Sequence, residues 1–394
     1  MISVQEAQAI LRDRINTTSK TQRLPLALAT GAILSHDVIS PIDMPPFRQS
    51  AMDGYALNAN GQNVFQVIDE VKAGGGNEPE IKPGQAVRIF TGAAVPESAS
   101  AVIMQEKVER SGDSITIQVP IKEGQNIRPR GEQVITGQIA LKKGQKLSSA
   151  GIGFLASLGI IEVEVYQSPS IAVVVTGDEL VDPGTPLQYG QIYESNAIML
   201  SSLLKDLGYH KVSIQKVSDD FEATYQTLKS TFDANDVVLI SGGISVGDYD
   251  FVGKALLDLG IEQHFYKIKQ KPGKPLFFGT KGEKVVFALP GNPGSALSCF
   301  YIYVLEALNR ISGNTSFALN QVEAHSLASF EKRGDRAQFL KAIYKDGKVS
   351  ILEGQNSSML HTFSLANAFV FLEEDQYLVK PDDAVKVILL PLIM

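Results

Sequence analysis

The chain has 394 residues, of which 44% are hydrophobic and 20% are charged, and its formal net charge is −7. This length exceeds one ordinary hydrophobic core, so we expect roughly two to four domains. The acidic balance argues against a nucleic-acid-binding protein, which needs a basic face, and the single cysteine, Cys299, excludes an internal disulfide and a cysteine-rich metal site.

The N-terminal stretch "MISVQEAQAILRDRI" predicts an amphipathic helix, with Ser3 and Glu6 at the spacing of a capping box. It has neither a long apolar run nor a cleavage pattern. The apolar C-terminal stretch "VKVILLPLIM" is too short to span a bilayer. We therefore expect a cytoplasmic protein without a membrane anchor.

The texture of the sequence divides the chain into four expected domains. Residues 1–45 with 140–168 form an N-terminal linker domain of mixed helix and strand. Residues 46–139 contain short apolar runs broken by glycine and proline, which predicts a small β-rich domain. Residues 169–312 join β-branched runs to glycine-rich turns and then helices, the pattern of buried parallel strands with crossover helices. Residues 318–394, with a Lys-Asp-Gly-Lys hairpin, predict a C-terminal β-domain.

Two glycine-rich loops follow predicted strands of the third domain. In a doubly wound sheet such loops meet beyond the carboxyl ends of the strands, where ligands bind. "SGGISVGD" is either a tight turn or a cradle whose backbone amides hold an anion, and the density of small residues favours the cradle. "LPGNPGSA" fixes a rigid loop in which Asn292 or Ser295 can cap the next helix.

Charged residues accompany these loops. Asp178 and Glu179 follow the first strand, where they either solvate a loop or bind a hard cation such as magnesium. "YESN" follows, with Ser195 or Asn196 placed to cap a helix. "YKIKQKPGKP" concentrates lysines in an acidic chain, and strand alternation would put Lys267, Lys269 and Lys271 on one face. Such a run is either a solvated face or a rigid site for a phosphate ester or oxyanion.

Other familiar motifs are absent or misplaced in the sequence. "GIGFLA" matches a dinucleotide-binding pattern but starts a predicted helix without a preceding strand. The histidines show no metal-ligand spacing, and no Ser-His-Asp or Cys-His set is evident, so we do not expect covalent catalysis.

Eight ordered segments resemble the molybdopterin molybdotransferase family, known as MoeA in bacteria and as the E domain of gephyrin in animals. They are "PPFRQSAMDGYA", "RIFTGAAVP", "NIRPRGEQV", "VVVTGDELV", "IYESN", "SGGISVGDYD", "KPGKP" and "LPGNPGSA". The resemblance implies a multidomain α/β plus β fold. Its central doubly wound α/β domain would resemble molybdopterin adenylyltransferase, beside a small β-rich domain, an α/β linker domain and a C-terminal β-barrel-like domain.

The resemblance also implies a transferase that completes molybdenum cofactor biosynthesis. Molybdate and adenylylated molybdopterin would be its substrates, and AMP would be released with the help of Mg²⁺. The implied assembly is a homodimer that makes transient contacts with molybdopterin adenylyltransferase and with recipient molybdoenzymes, without nucleic acid or membrane. Because the family builds its cleft across the dimer, Asp53 is expected to face the α/β domain of the partner chain.

Site residues follow from the resemblance by matching position. The catalytic set is Asp53, Thr91, Glu179, Lys267 and Lys271, and the metal-binding set is Asp53, Glu179, Asp219 and Asp250. The resemblance adds Pro290, Pro293, Arg336 and Ser358 to the expected cofactor-binding set, whose other members come from the two glycine-rich loops: Ser241, Gly242, Gly243, Ser245, Gly247, Asp248, Gly291 and Asn292.

The chain departs from the family's common pattern at three positions. Arg48 and Gln49 stand where an acid and Asn are common, and Gln133 replaces an acid. We expect these changes to make the pocket less negative, because glutamine can form hydrogen bonds but carries no charge. Two other functions remain open from the sequence: adenylyl transfer by the α/β domain, and a pterin-binding or scaffold protein with weakened catalysis.

Overall fold

The computed structural model describes residues 1–244 and 251–391. The chain forms two compact units, one comprising Met1–Gln22 with Tyr166–Met394 and the other comprising Arg23–Val165. Among the described residues, no helix combines the length and the apolar character needed to cross a membrane.

A mixed six-stranded sheet forms the centre of the larger unit. Its strand order is Val212–Val217, Ile171–Thr176, Val237–Ser241, Lys284–Leu289, Pro275–Lys281 and Glu262–Lys267. The first four strands are parallel, and the last two are added antiparallel at one edge. The predicted parallel strands are therefore confirmed.

Both faces of the central strands Ile171–Thr176 and Val237–Ser241 are buried. Val173 and Val175 pack into one hydrophobic core, whereas Val174 packs into a second core on the other face together with Val238 and Ile240. This alternation follows from the two-residue period of a strand, and it explains why the sequence is apolar without interruption. Helices cover the sheet at Asn196–Asp206, Phe221–Ala234, Phe251–Asp258 and Pro293–Cys299, the last continuing as a π-helix, Phe300–Val304, into Leu305–Ile311.

The N-terminal helix Val4–Arg14 packs into the core of this larger unit through Val4, Ala7 and Leu11, although the sequence grouped it with residues 140–168. Its predicted capping box is confirmed. The Glu6 amide donates to Ser3 Oγ at 3.1 Å, and the Ser3 amide donates to the Glu6 carboxylate at 2.7 Å. The cap thus satisfies two main-chain N–H groups at the helix start.

The C-terminal region is a closed five-stranded barrel. The strands Ala337–Lys345, Lys348–Ile351, Gln321–Ser326, Ala384–Leu389 and Ala368–Leu372 pair in this order, and the last pairs with the first. The predicted Lys-Asp-Gly-Lys hairpin is confirmed, because Lys345 pairs with Lys348. Asp346 and Gly347 both have positive φ angles, as a type I′ turn requires.

Short elements complete the larger unit. The strand Gln270–Lys271 extends the barrel sheet by pairing in parallel with Ala337–Lys345. The remaining strands pair as Leu180–Val181 with Ile192–Tyr193 and Phe330–Glu331 with Leu378–Val379, and a short 3₁₀ helix covers His361–Ser364.

The smaller unit is built around a second six-stranded sheet. Its strand order is Ala101–Met104, Gly54–Leu57, Gln85–Ile89, Val64–Val71, Ser114–Ile117 and Val108–Ser111. Its other elements are the strand pairs Gln49–Ser50 with Ile127–Arg128 and Val38–Ile39 with Ile139–Leu141, the helix Ser149–Ser157, the 3₁₀ turns Leu26–Leu28 and Gln105–Lys107, and the terminal strands Thr21–Pro25 and Glu162–Tyr166.

Gly54 begins a central strand of this sheet, although an Asp-Gly pair such as Asp53-Gly54 is typical of a turn. The strand Gly54–Leu57 is fully buried between two antiparallel neighbours. A Cβ atom on Gly54 would overlap the carbonyl oxygen of Ile103. Glycine is therefore required here by the close approach of the neighbouring strand, and Asp53 is the residue that immediately precedes Gly54.

The substitution Gly54→Ala should lower the free energy of unfolding by about 3 kcal/mol or more, because the main chain of two paired strands must separate. Urea unfolding followed by circular dichroism measures this change. Gly153→Ala in the helix Ser149–Ser157 is the matched control, since its Cβ meets no atom within 4 Å. The control should stabilise the protein by up to about 1 kcal/mol; equal midpoints for the two variants would contradict the prediction.

Candidate active site

A cavity of about 730 Å³ lies at the carboxyl ends of the parallel strands. The strand-end residues Thr176 and Ser241, and Pro290 immediately after the next strand, line it. We call it the strand-end cavity. Many residues named from the sequence lie around it: Glu179, Asp219, Ser241, Gly242, Gly243, Pro290, Gly291, Asn292 and Pro293. Ser245, Gly247, Asp248 and Asp250 lie outside the described residues.

Glycines allow the loop after Ser241 to approach the end of the neighbouring strand. Gly242 has a φ angle of 97°, and a Cβ atom there would lie 2.6 Å from the carbonyl oxygen of Thr176. Gly243 has a φ angle of 66°, and its Cβ would meet Val252 at the same distance. Both the backbone conformation and the lack of space therefore require glycine. The loop after Ser241 thus lies directly against Thr176.

The buried side chain of Asn196 joins the two glycine-rich loops. Its amide nitrogen donates to Ser241 Oγ at 2.8 Å and to the Gly291 carbonyl oxygen at 2.8 Å. Of Ser195 and Asn196, the two expected helix caps, Ser195 does occupy the N-cap position. The Glu194 carboxylate caps the helix by accepting from the Ala197 amide at 2.8 Å, while Ser195 makes no capping bond with its side chain. Asn196 is consequently available to fix the site.

Two buried polar atoms on the wall of the strand-end cavity have no hydrogen-bond partner among the described residues. They are Thr176 Oγ1 and Asn196 Oδ1. Leaving a buried polar atom unpaired costs free energy, so both atoms favour a polar partner in the cavity. The hydroxyl can donate or accept, and the amide oxygen can accept. The cavity therefore offers polar contacts as well as space.

Two acids beside the strand-end cavity, Asp178 and Asp219, accept hydrogen bonds from each other's main-chain amides. The Asp219 amide donates to the Asp178 carboxylate at 3.1 Å, and the Asp178 amide donates to the Asp219 carboxylate at 3.4 Å. Glu179 and Asp219 line the cavity. Within residues 1–244 and 251–391, no group of three or more acidic, histidine or cysteine side chains could hold a metal. Two carboxylates with ligand oxygens nevertheless match the donors that Mg²⁺ takes beside a phosphate.

A second cavity of about 560 Å³ shares the lining residues Pro275, Pro290 and Asn292 with the first. We call it the basic cavity, because Lys271 and Arg336 line it. Its other polar lining comes from Ser295 and from the segment 355–357 of the C-terminal barrel. The shared residues make the two cavities neighbours in one cleft. The basic cavity is thus built jointly by the α/β domain and the barrel.

A buried amide fixes the loop that carries Lys271. The Gln270 amide nitrogen donates to the carbonyl oxygens of Pro272 and Gly273, both at 3.1 Å, and its oxygen accepts from the Tyr303 hydroxyl. Burial raises the pKa of Tyr303, so the hydroxyl keeps its proton and donates. The main-chain carbonyl oxygen of Gln270 also accepts from the Arg336 guanidinium at 3.3 Å. Both cationic residues of the basic cavity are thereby tied to Gln270.

The lysine run is divided rather than aligned on one face. Lys267 ends an edge strand and its ammonium lies 5.3 Å from the centre of the Tyr266 ring. Lys269 pairs with Glu374 at 2.6 Å and with Asp335 at 3.4 Å. Of these lysines, only Lys271 lines either cavity in the described part of the chain.

The barrel serine on the wall of the basic cavity is Ser357. Asn292 donates to Ser357 Oγ at 3.2 Å, whereas Ser358, the residue named from the resemblance, is exposed and does not line the cavity. The two serines are adjacent in the sequence, which carries no local signal that could separate them.

In the smaller unit the structure brings Asp53 and Thr91 together. The Asp53 carboxylate oxygen Oδ1 accepts from the Thr91 amide and from its hydroxyl, each at 2.7 Å. These hydrogen bonds, the main-chain bond first, lower the pKa of Asp53. Asp53 is therefore an exposed, ionised carboxylate whose orientation is fixed.

The two departures beside Asp53 are used within the smaller unit. The Arg48 guanidinium donates to the carbonyl oxygens of Pro96, Glu97 and Ala99 at 3.3, 3.1 and 2.8 Å. The Gln49 amide donates to the Gly92 carbonyl oxygen at 3.2 Å. Because Gly92 follows Thr91, Gln49 holds the loop that orients Asp53.

Comparison with known proteins places the whole chain among similar sequences. Family models match it as the MoeA N-terminal region (domain I and II) over residues 2–159, a probable molybdopterin binding domain over residues 172–310, and the MoeA C-terminal region (domain IV) over residues 323–390. A molybdopterin molybdenumtransferase of Haemophilus influenzae is 35% identical over 389 residues, covering 95% of each chain. One from Staphylococcus epidermidis is 32% identical, covering 94% of this chain and 91% of that protein.

A solved structure supports the same likeness at the level of the fold. The crystal structure of a molybdopterin biosynthesis moeA protein from Pyrococcus horikoshii OT3 superposes with a TM-score of 0.86 and 30% identity. It covers 99% of this chain and 100% of that one.

The substitution Thr91→Val should raise the pKa of Asp53 towards its ordinary value of 3.8, because one of the two hydrogen bonds that stabilise the carboxylate is lost. A carbon-detected NMR titration of the carboxyl group measures the shift. Since folding lowers this pKa, the associated stability is complete above the ordinary value and is lost as the pH falls through the folded value. The stability difference between the wild type and the variant should therefore vanish in acid.

Thr136→Val is the matched control for this titration. Thr136 donates its amide and hydroxyl to Asp43 at 2.7 Å each, in the same arrangement. The control should shift Asp43 and leave Asp53 unchanged. An Asp53 titration that is identical in the wild type and in Thr91→Val would contradict the assignment.

Proposed function

This chain belongs to the MoeA family and is a transferase of molybdenum cofactor biosynthesis, and we propose that it inserts molybdate into adenylylated molybdopterin with release of AMP. The observation that carries this proposal is the pairing of the two cavities. A large cavity with unpaired polar groups adjoins a basic one, and they share Pro290 and Asn292.

The strand-end cavity is the proposed site of the adenylylated pterin. Its volume of about 730 Å³ falls in the range of cavities that hold drug-sized ligands. Asn196 Oδ1 would accept a hydrogen bond from an N–H group of the ligand, and the Thr176 hydroxyl would pair with a neighbouring polar atom. The glycines at 242 and 243 allow the ligand's phosphates to approach the main chain.

The basic cavity is the proposed site of molybdate. This substrate is a tetrahedral dianion, and the guanidinium of Arg336 and the ammonium of Lys271 suit its oxygens. Asn292 and Ser357, already joined by a hydrogen bond, add neutral donors at the same wall. Holding the dianion beside the pterin replaces a collision between two anions by a reaction of two bound groups.

Magnesium is the metal ion proposed for the strand-end cavity. Glu179 and Asp219 are the described residues that would hold it, together with phosphate oxygens of the substrate. When bound, the ion neutralises charge on the phosphates from which AMP departs. The two carboxylates would hold the ion on one side of the strand-end cavity, away from the molybdate in the basic cavity.

We also propose a homodimer in which Asp53 of one protomer acts in the strand-end cavity of its partner. What supports this is the state of Asp53, an exposed carboxylate held by Thr91 and kept ionised. A cytoplasmic location and transient contacts with molybdopterin adenylyltransferase and recipient molybdoenzymes complete the proposal.

Purified protein supplied with adenylylated molybdopterin, molybdate and magnesium should release AMP. Replacing the adenylylated substrate by molybdopterin and ATP tests the alternative of adenylyl transfer, which would consume ATP. Protein that binds adenylylated molybdopterin but releases no AMP would instead support a pterin-binding role and overturn the proposed reaction.

Lys271→Met should raise the KM for molybdate by about tenfold or more, because one charge-assisted contact to the dianion is lost. Initial rates of AMP release at varied molybdate concentration measure this change. Lys269→Met is the matched control, since Lys269 is engaged by Glu374 and Asp335. A control that raises the KM as much as Lys271→Met would show that the effect is not specific to the basic cavity.

Glu179→Gln and Asp219→Asn should each raise the magnesium concentration that gives half-maximal AMP release by about tenfold, because amides bind the ion more weakly than carboxylates do. Asp182→Asn is the control, because Asp182 is an exposed acid three residues after Glu179 that does not line either cavity in the described part of the chain. Unchanged magnesium dependence in both variants would refute the role given to these acids.

A further inference from the structure

Lys341 is a buried lysine in the middle of the C-terminal barrel. It lies on the strand Ala337–Lys345, within a run of six consecutive buried residues, and only 4% of it is exposed. Within the described ranges no carboxylate lies at ion-pair distance from its ammonium group. Burying an unpaired ammonium is costly, whereas an apolar residue would fill this position at no such cost. The lysine therefore calls for an explanation beyond packing.

The ammonium group of Lys341 binds main-chain carbonyl oxygens of one loop. It donates to Gly354 at 2.8 Å, to Met359 at 2.9 Å and, more weakly, to Asn356 at 3.5 Å. The Phe363 ring lies 5.3 Å away and adds a cation–π contact. These partners enclose the segment 355–357, which lines the basic cavity. Lys341 thus anchors the loop through its carbonyl groups but does not itself line the cavity.

The same loop is tied to the barrel by other side chains. Gln355 donates to the Lys341 carbonyl oxygen at 2.8 Å and accepts from the Lys341 amide at 2.9 Å. The Thr362 hydroxyl donates to the Gly354 carbonyl oxygen at 3.1 Å. The loop has no regular strand or helix of its own between Ile351 and His361, so these side chains replace the hydrogen bonds of a regular element.

On its opposite side the loop packs tightly against the α/β domain. A Cβ atom on Gly294 would lie 2.7 Å from the Ser357 carbonyl oxygen. Asn292, two residues earlier, donates to Ser357 Oγ at 3.2 Å. The loop is thus held between Lys341 and the start of the helix Pro293–Cys299. A shift of the loop would move Ser357 and Asn292 together, and Asn292 lines both cavities.

We propose that Lys341 is a positioning residue for oxyanion binding, which holds the segment 355–357 against Asn292 and thereby sets the affinity of the basic cavity for molybdate. This inference rests on the proposed function, because it takes molybdate as the occupant of that cavity. Lys341 acts through three carbonyl groups and makes no contact with the substrate. Its effect therefore falls on the geometry of binding rather than on the chemical step.

The test compares the KM for molybdate and kcat of AMP release in variants at one position. Lys341→Met keeps the length of the side chain but removes every donor, and it should raise the KM about tenfold while kcat stays within about twofold. Lys341→Gln keeps two N–H donors without the charge, and it should recover most of the affinity. Equal KM values for Lys341→Met and the wild type would overturn the proposal, as would equal losses in kcat and kcat/KM.

Two further variants separate positioning from general loss of stability. Val387→Ala opens a cavity in the same barrel core, away from the loop, and should lower the melting temperature without changing the KM. Thr362→Val removes one hydrogen bond to the loop and should raise the KM by about threefold. This variant keeps the proposal testable if Lys341→Met does not fold. A raised KM in Val387→Ala, or an unchanged KM in Thr362→Val, would overturn the proposal.

The wild-type assay separates this inference from the proposed function. Wild-type protein that shows no molybdate-dependent release of AMP would overturn the proposed function and this inference with it. An active wild type whose KM is unchanged in Lys341→Met and Thr362→Val would overturn the role of Lys341 alone.

Discussion

Burial of both faces of the central parallel strands is the constraint on which the candidate site depends. The strands Ile171–Thr176 and Val237–Ser241 are buried throughout, so their side chains are apolar until the last residue. Along these two strands, polar side chains can therefore be accommodated only where the strands end. Thr176 and Ser241 are those last residues, and both lie on the wall of the strand-end cavity. The position of the cavity is thus a consequence of how the sheet is covered.

Loops that leave a sheet lack the regular main-chain hydrogen bonds of paired strands. Here buried polar side chains donate hydrogen bonds to the loops instead. Asn196, Gln270 and Lys341 are each buried, and each donates at least two hydrogen bonds to loop groups, most of them carbonyl oxygens. One joins the two glycine-rich loops, one holds the loop of Lys271, and one holds the barrel loop of Ser357. A carbonyl oxygen can be satisfied by a neutral amide as well as by an ammonium group. These anchors give irregular segments the rigidity that a binding site needs.

The sequence predicted the parts of this arrangement that depend on local patterns. β-branched runs followed by glycines indicated the buried strands, and residues next to those strand ends, such as Ser241 and Pro290, do line the cavity. The capping box at Ser3 and the hairpin at Asp346 are equally local.

What the sequence could not predict depends on contacts between distant segments. Asn196 meets a loop 95 residues away, so nothing beside it indicates this role. Gly54 is required by Ile103 of a neighbouring strand, and Lys341 stands in an apolar run without any signal of the loop that it holds. The division of the lysines arises because Lys271 pairs with the barrel while Lys267 remains in the α/β sheet, and strand alternation cannot anticipate a change of sheet.

Asp53 and Asp43 show how one local arrangement serves two purposes in the smaller unit. Each carboxylate receives an amide and a hydroxyl from one threonine through its Oδ1 atom. In Asp43 the second oxygen is taken by Arg130 at 2.6 Å, so its charge is neutralised within the unit. The Oδ2 atom of Asp53 has no hydrogen bond or ion pair among the described residues. Asp53 thus remains an oriented, ionised carboxylate with one oxygen that no described residue occupies, which is the state that its proposed role requires.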